Sequence, residues 1–131
     1  GIPFHPEPSL AEINFGAWEG RSAEEIMANE PGVLEGYWND PTSYTPKDGE
    51  SISTLAERVI EAVNGMAASH RGEHLLLVTH GGVIRALLAW TLEMPLSALM
   101  RIEVAHAGIS RIRIPAGGNP SLVFHDGGSQ C

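Results

Sequence analysis

The sequence predicts an α/β fold, with helices layered on a sheet. Three observations carry that expectation. Residues 52–67 repeat apolar side chains at helical spacing, residues 75–78 form an unbroken apolar run ahead of a glycine pair, and residues 109–114 alternate strictly between apolar and polar. Helix, buried strand, helix and then further strands is the order of a layered α/β architecture.

From the start of the chain, residues 3–9 are proline-rich and predict an extended connector. Residues 11–20 hold two glycines and no helical period, so a loop is expected. Ser22 followed three positions later by Glu25 is a capping-box pattern, which predicts a short helix over 22–29. Another short helix is expected over 31–37, and two prolines and a glycine make 39–49 a loop. Ile52, Leu55, Ala56, Val59, Ile60, Val63, Met66 and Ala67 then line one face of an amphipathic helix, with Ser51 as its N-cap.

Leu75-Leu76-Leu77-Val78 lies between a polar turn and Gly81-Gly82. So short and continuous a run predicts a strand buried on both faces, which implies a parallel sheet covered by helices. Residues 83–94 are apolar almost all round, with Arg85 and Glu93 as their only charges, and predict a buried helix. A short helix opening on proline is expected over 95–100. Ile109-Ser110-Arg111-Ile112-Arg113-Ile114 predicts a half-exposed strand. Ser121-Leu122-Val123-Phe124 is its expected hairpin partner, residues 102–104 a third strand, and residues 126–131 a loose tail.

The length of 131 residues suits one domain with one core, since a chain of this size buries roughly two-thirds of its unfolded surface. An apolar content of 43% argues against disorder. Eight Lys and Arg against 16 Asp and Glu leave a net charge of −8, and an acidic surface does not displace counterions from nucleic acid. No apolar run is long enough to span a bilayer, and no basic leader or signal-type segment opens the sequence. Neither a nucleic-acid nor a membrane partner is therefore expected. The single cysteine, Cys131, forms no disulfide within the chain and fits a reducing compartment, the cytoplasm. Gly1-Ile2-Pro3-Phe4 reads as the interior of a longer protein.

The chemistry concentrates in Val78-Thr79-His80-Gly81-Gly82-Val83-Ile84-Arg85. A buried strand would end here, place His80 at its carboxyl edge and hand over to a helix. Ligands bind open α/β sheets at that edge. The helix end offers unpaired N–H groups and a positive dipole, and the glycines let an anion approach the backbone. His80 adds a donor that can be cationic near neutral pH. The segment alone leaves two readings open: a phosphate-binding site, or a hydrogen-bonded turn with glycines that permit a tight bend. A His-Gly-Gly loop also serves as an oxyanion hole in lipases, but the G-x-S-x-G elbow they need is absent.

Three segments in order narrow the choice: Leu10-Ala11-Glu12-Ile13-Asn14-Phe15-Gly16-Ala17-Trp18-Glu19-Gly20, Asp48-Gly49-Glu50-Ser51 opening the long helix, and Leu77-Val78-Thr79-His80-Gly81-Gly82. Together they resemble the histidine phosphatase superfamily, also called phosphoglycerate mutase-like, over nearly the whole chain to about residue 114. The match is closest to its phosphatase branch, which includes the α-ribazole phosphatases. The resemblance implies a three-layer α/β/α fold with a mostly parallel sheet, here incomplete at its N-terminal side. It also implies hydrolysis of a small phosphate ester, α-ribazole 5′-phosphate among the possible substrates, through a phosphohistidine. Glu12 would be the proton donor. His80 would contact the transferring phosphoryl group, with the Gly81 backbone beside it. No metal or cofactor is expected, and His5, His70, His74 and His125 show no metal-ligand spacing.

Two family features are missing, the Arg-His-Gly motif, which supplies the nucleophilic histidine, and the second phosphate-binding Arg that lies upstream of Glu12 in the family. His70-Arg71-Gly72 has the wrong order. Residues 1–131 are therefore expected to be the C-terminal portion of a single domain. The nucleophile segment would come from an N-terminal segment of the same protein or from a second subunit. Without it the chain should be inactive, and the strand at 75–78 would become an exposed edge.

Other candidates have plainer readings. Glu19 is expected in a salt bridge or helix-end contact, Arg85 paired with a buried carboxylate, His106 at the surface, and Glu50 and Ser51 organising the helix start. Two other function classes stay in view, a phosphoglycerate mutase-type phosphotransferase and a noncatalytic phosphate-binding module.

Overall fold

The computed structural model describes residues 1–126. Four α-helices, α1 (Ala23–Asn29), α2 (Val33–Asn39), α3 (Ile52–Ser69) and α4 (Gly81–Thr91), precede a hairpin of β1 (Ile109–Arg113) and β2 (Ser121–Asp126). Short 3-10 turns at Pro8–Leu10, Gly16–Trp18, Pro41–Ser43 and Leu96–Arg101 fill the connections.

The helices start where local chemistry allows. Ser22 accepts the Glu25 N–H while the Glu25 carboxylate accepts the Ser22 N–H, the complete capping box of α1. Ser51 caps α3 by accepting the Thr54 N–H at 3.1 Å. α4 begins two residues earlier than expected, at Gly81, and stops at Thr91 rather than 94. Glu93 turns into the left-handed region at φ 54° and breaks the helix ahead of Pro95.

α3 and α4 form the centre of the core. Leu55, Val59 and Val63 of α3 meet Val83, Leu87 and Ala89 of α4, while Leu34, Tyr37 and Leu99 close the cluster. Leu55, Val59, Val83, Leu88 and Leu99 are almost fully buried, each contributing about 1.5–3 kcal/mol of transfer free energy.

The hairpin behaves as its alternation requires. β1 pairs antiparallel with β2, Arg111 facing Phe124 and Ile112 facing Leu122, so a bulge falls at Val123. Ile112 and Ile114 pack on the core cluster.

Residues 74–79 depart from expectation. The segment lies outside any ladder, and the only sheet among the described residues is the two-stranded β1–β2 hairpin. Leu76 and Val78 are 82% and 85% exposed, and Leu75 46%. The α/β class stands, but the buried strand and the mostly parallel three-layer sheet are not formed within these residues. A continuous apolar run reports the burial a segment needs, and no neighbouring strand among the described residues provides it. Residues 102–104 likewise form no strand. Beyond Asp126 the expected tail, with Cys131, lies outside the described residues.

One consequence is an apolar groove of about 590 Å³. Leu75, Leu76 and Leu77 lie along it, with Met66 of α3, Ile84 of α4 and Ile109 of β1 also in its walls.

Candidate active site

The site is assembled at the N-terminus of α4. His80 is its N-cap residue, with extended backbone and an exposed side chain that makes no capping bond. The first N–H groups of a helix have no partner within it. The Gly82 N–H finds one in Glu12, donating to Oε2 at 3.1 Å. The other carboxylate oxygen, Oε1, accepts the Ile13 N–H at 2.9 Å. Glu12 and Gly82 are 70 positions apart in the chain. A second tie runs beside the first, where the Thr79 hydroxyl donates to the Leu10 carbonyl at 2.6 Å. Gly82 is required by this approach, because a Cβ there would run into the Glu12 carboxylate.

The loop bearing Glu12 is fixed from behind. The Arg58 guanidinium, on α3, donates to the carbonyls of Ser9 at 2.7 Å, Ala11 at 2.8 Å and Glu12 at 3.3 Å. Its Nε and the same Nη2 that reaches Ala11 and Glu12 form a fork on Glu50, at 2.7 and 2.9 Å. Hydrogen bonding from Arg58 holds the Glu50 carboxyl below its ordinary range, and the same pair raises Arg58.

The following loop is knitted to residues 47–50. Ala17 N–H donates to the Lys47 carbonyl at 2.8 Å and Glu50 N–H to the Asn14 carbonyl at 2.7 Å. Gly16 sits at φ +54°, and a Cβ there would collide with the Lys47 carbonyl, so only glycine fits. Trp18 stacks on Tyr44 with ring centroids 5.4 Å apart and meets Tyr37 edge-on at 5.3 Å. The Trp18 indole and the Tyr44 hydroxyl both donate to Glu30, which holds that carboxyl below its usual range. Burial, and then the nearby Glu12 charge, push the Tyr37 phenol up.

Of the residues singled out in the sequence, Glu12, His80 and Gly81 come together at one helix end. Glu19 accepts the Phe15 N–H at 2.8 Å, and Phe15 is the N-cap of the 3-10 turn Gly16–Trp18, so of its two expected roles Glu19 takes the helix-end contact. Arg85 donates to the Ile102 carbonyl at 2.8 Å, so its observed acceptor is backbone rather than the expected carboxylate, and its guanidinium lies over Gly81. His106 is exposed. Arg58 was not foreseen. Its only local signal is Glu50 eight positions earlier, and its other acceptors are backbone carbonyls 46–49 positions away. Among the described residues no three His, Cys, Asp or Glu side chains gather as metal ligands.

A family model described as Histidine phosphatase superfamily (branch 1) matches residues 1–126. The chain belongs to the histidine phosphatase superfamily. This histidine phosphatase chain is 29% identical over 116 residues to an adenosylcobalamin/alpha-ribazole phosphatase of Salmonella typhimurium, covering 88% of this chain and 57% of that protein. It is 35% identical over 81 residues to a metal-independent phosphoserine phosphatase of Arabidopsis thaliana, covering 61% of this chain and 34% of that one. Its structure resembles that of Bacillus stearothermophilus YhfR with a TM-score of 0.85 at 30% identity, over 95% of this chain and 61% of YhfR. The histidine phosphatase chain thus spans less than two thirds of each of these relatives.

Proposed function

We propose that these residues carry the proton donor and one phosphate-contacting wall of a phosphomonoesterase site. In this reading the nucleophilic histidine comes from an Arg-His-Gly segment outside residues 1–131, in the same protein or in a second subunit. The observation that carries the reading is that two separate ties, Glu12 to Gly82 and Leu10 to Thr79, hold the Glu12 loop against the residues flanking His80. The groove between residues 75–77 and β1 supports the second part, because it offers an apolar bed for one more strand.

The chemistry of this reading is the one the family resemblance implies. The external histidine nitrogen attacks phosphorus and the bond from phosphorus to the ester oxygen breaks. Glu12, as the carboxylic acid, gives its proton to the departing alkoxide. His80 and the Gly81 N–H stabilise the charge on the equatorial oxygens. Glu12, now a carboxylate, takes a proton from water, the hydroxide attacks phosphorus, and the phosphorus–nitrogen bond breaks to release phosphate. Small phosphate esters are the substrate class, and the likeness to the Salmonella alpha-ribazole phosphatase favours α-ribazole 5′-phosphate among them. A cytoplasmic location belongs to the same reading.

Assay with p-nitrophenyl phosphate tests it. The intact protein should turn over and residues 1–131 alone should not. In the intact protein His80→Ala should lower kcat/KM by about 2.7–4 kcal/mol of transition-state stabilisation, comparable to loss of one oxyanion donor. Unchanged kcat/KM would remove His80 from the site. Phosphate transfer on 3-phosphoglycerate in place of hydrolysis would move the assignment to a mutase. Phosphate binding with no turnover in the intact protein would move it to a binding module.

A further inference from the structure

We infer that Arg58 is the positioning residue for Glu12, acting through the main chain of the loop rather than on the carboxylate itself. The guanidinium has five N–H donors in a rigid fork. Here three of its contacts go to the carbonyls of Ser9, Ala11 and Glu12, and two go to Glu50. The carbonyl that Arg58 skips, that of Leu10, is taken by the Thr79 hydroxyl. Four successive carbonyls are thus gripped, from α3 on one side and from the approach to α4 on the other. The loop has no regular structure beyond the single turn at Pro8–Leu10 to hold it in place. Glu50 is the anchor of the clamp. It also accepts the Asn14 N–H at 3.4 Å, so the ion pair reaches the chain on both sides of Glu12.

The inference rests on the reading of Glu12 as proton donor, and the test separates the two. Gly82 N–H has Glu12 as its acceptor at a helix end where none is otherwise available, so its hydrogen exchange reports whether the carboxylate is in place. In the intact protein, Arg58→Gln should lose that protection by about tenfold, while Ser51→Ala, which weakens the start of α3, the helix that bears Arg58, without touching the clamp, should keep it. A proton donor matters most when the leaving group is a poor one. Arg58→Gln should therefore lower kcat/KM for glycerol 2-phosphate by about 10–100-fold and for p-nitrophenyl phosphate by less than about threefold. A merely structural role would lower both alike.

Arg58→Lys keeps the charge with fewer donors and should fall between wild type and Arg58→Gln on both readouts. Should Arg58→Gln fail to fold, Arg58→Lys and Glu50→Gln carry the same comparison. Unchanged Gly82 protection in these variants overturns the inference. Lost protection with an equal fall for both esters keeps the clamp and overturns Glu12 as the acid.

Discussion

At Gly82 a single hydrogen atom in place of a methyl group admits the Glu12 carboxylate to the helix end. Gly82→Ala should therefore separate activity from stability. Alanine is the better helix residue, so Tm should hold or rise slightly, while kcat/KM of the intact protein toward an alkyl phosphate falls at least about tenfold. Gly16→Ala should do the reverse of a helix substitution, because the left-handed backbone and the Lys47 carbonyl both oppose a Cβ. Thermal melting should show a loss of more than about 1 kcal/mol. Glu50 gives a pH test. Its carboxyl is lowered in the folded state by Arg58, so its contribution to stability is complete above the ordinary glutamate value of 4.5. That contribution is lost as pH falls through the lowered folded value. The stability deficit of Glu50→Gln, about 1–3 kcal/mol at pH 7, should accordingly shrink as melting is followed from pH 6 to pH 3. The helix end at His80 and Gly81 was legible in the sequence from its glycines and its polar N-cap, whereas Glu12, a loop carboxylate, was singled out only through the family resemblance. Arg58 was not legible, because carbonyl acceptors leave no mark on residue identity.

Elements whose cause is local were read correctly, and those whose cause is distant were not. The Ser22–Glu25 box and the apolar stripe of α3 lie within a few residues of what they determine, and both helices form as expected. The alternation over 109–114 likewise yields β1, whose two faces differ in burial along the strand. The run at 75–78 shows the limit. Its composition asks for burial on both sides, and that depends on strands not among the described residues. The helices permit direct tests. Ser51→Ala removes the N-cap of α3 and should cost about 1 kcal/mol in chemical denaturation. Gly65, exposed within α3 with open space around its Cβ position, should gain about 0.5–1 kcal/mol on replacement by alanine.

Taken as a whole, the described residues form a helical core with one apolar side exposed. α3, α4 and their connecting turns bury the large aliphatic residues, while residues 74–79 and the hairpin frame a groove with no strand in it. The acidic net charge does not conceal that surface, since the exposed positions are Leu75, Leu76 and Val78. Residues 1–131 alone should associate with themselves at raised concentration, and replacing Leu76 and Val78 by lysine should suppress it in sedimentation experiments without lowering Tm. The groove also has a practical consequence. A groove beside an unpaired extended segment selects its occupant by strand register and apolar alternation, so under the proposed function a short synthetic peptide bearing an Arg-His-Gly segment should complement the chain in trans, with turnover that saturates with peptide dose.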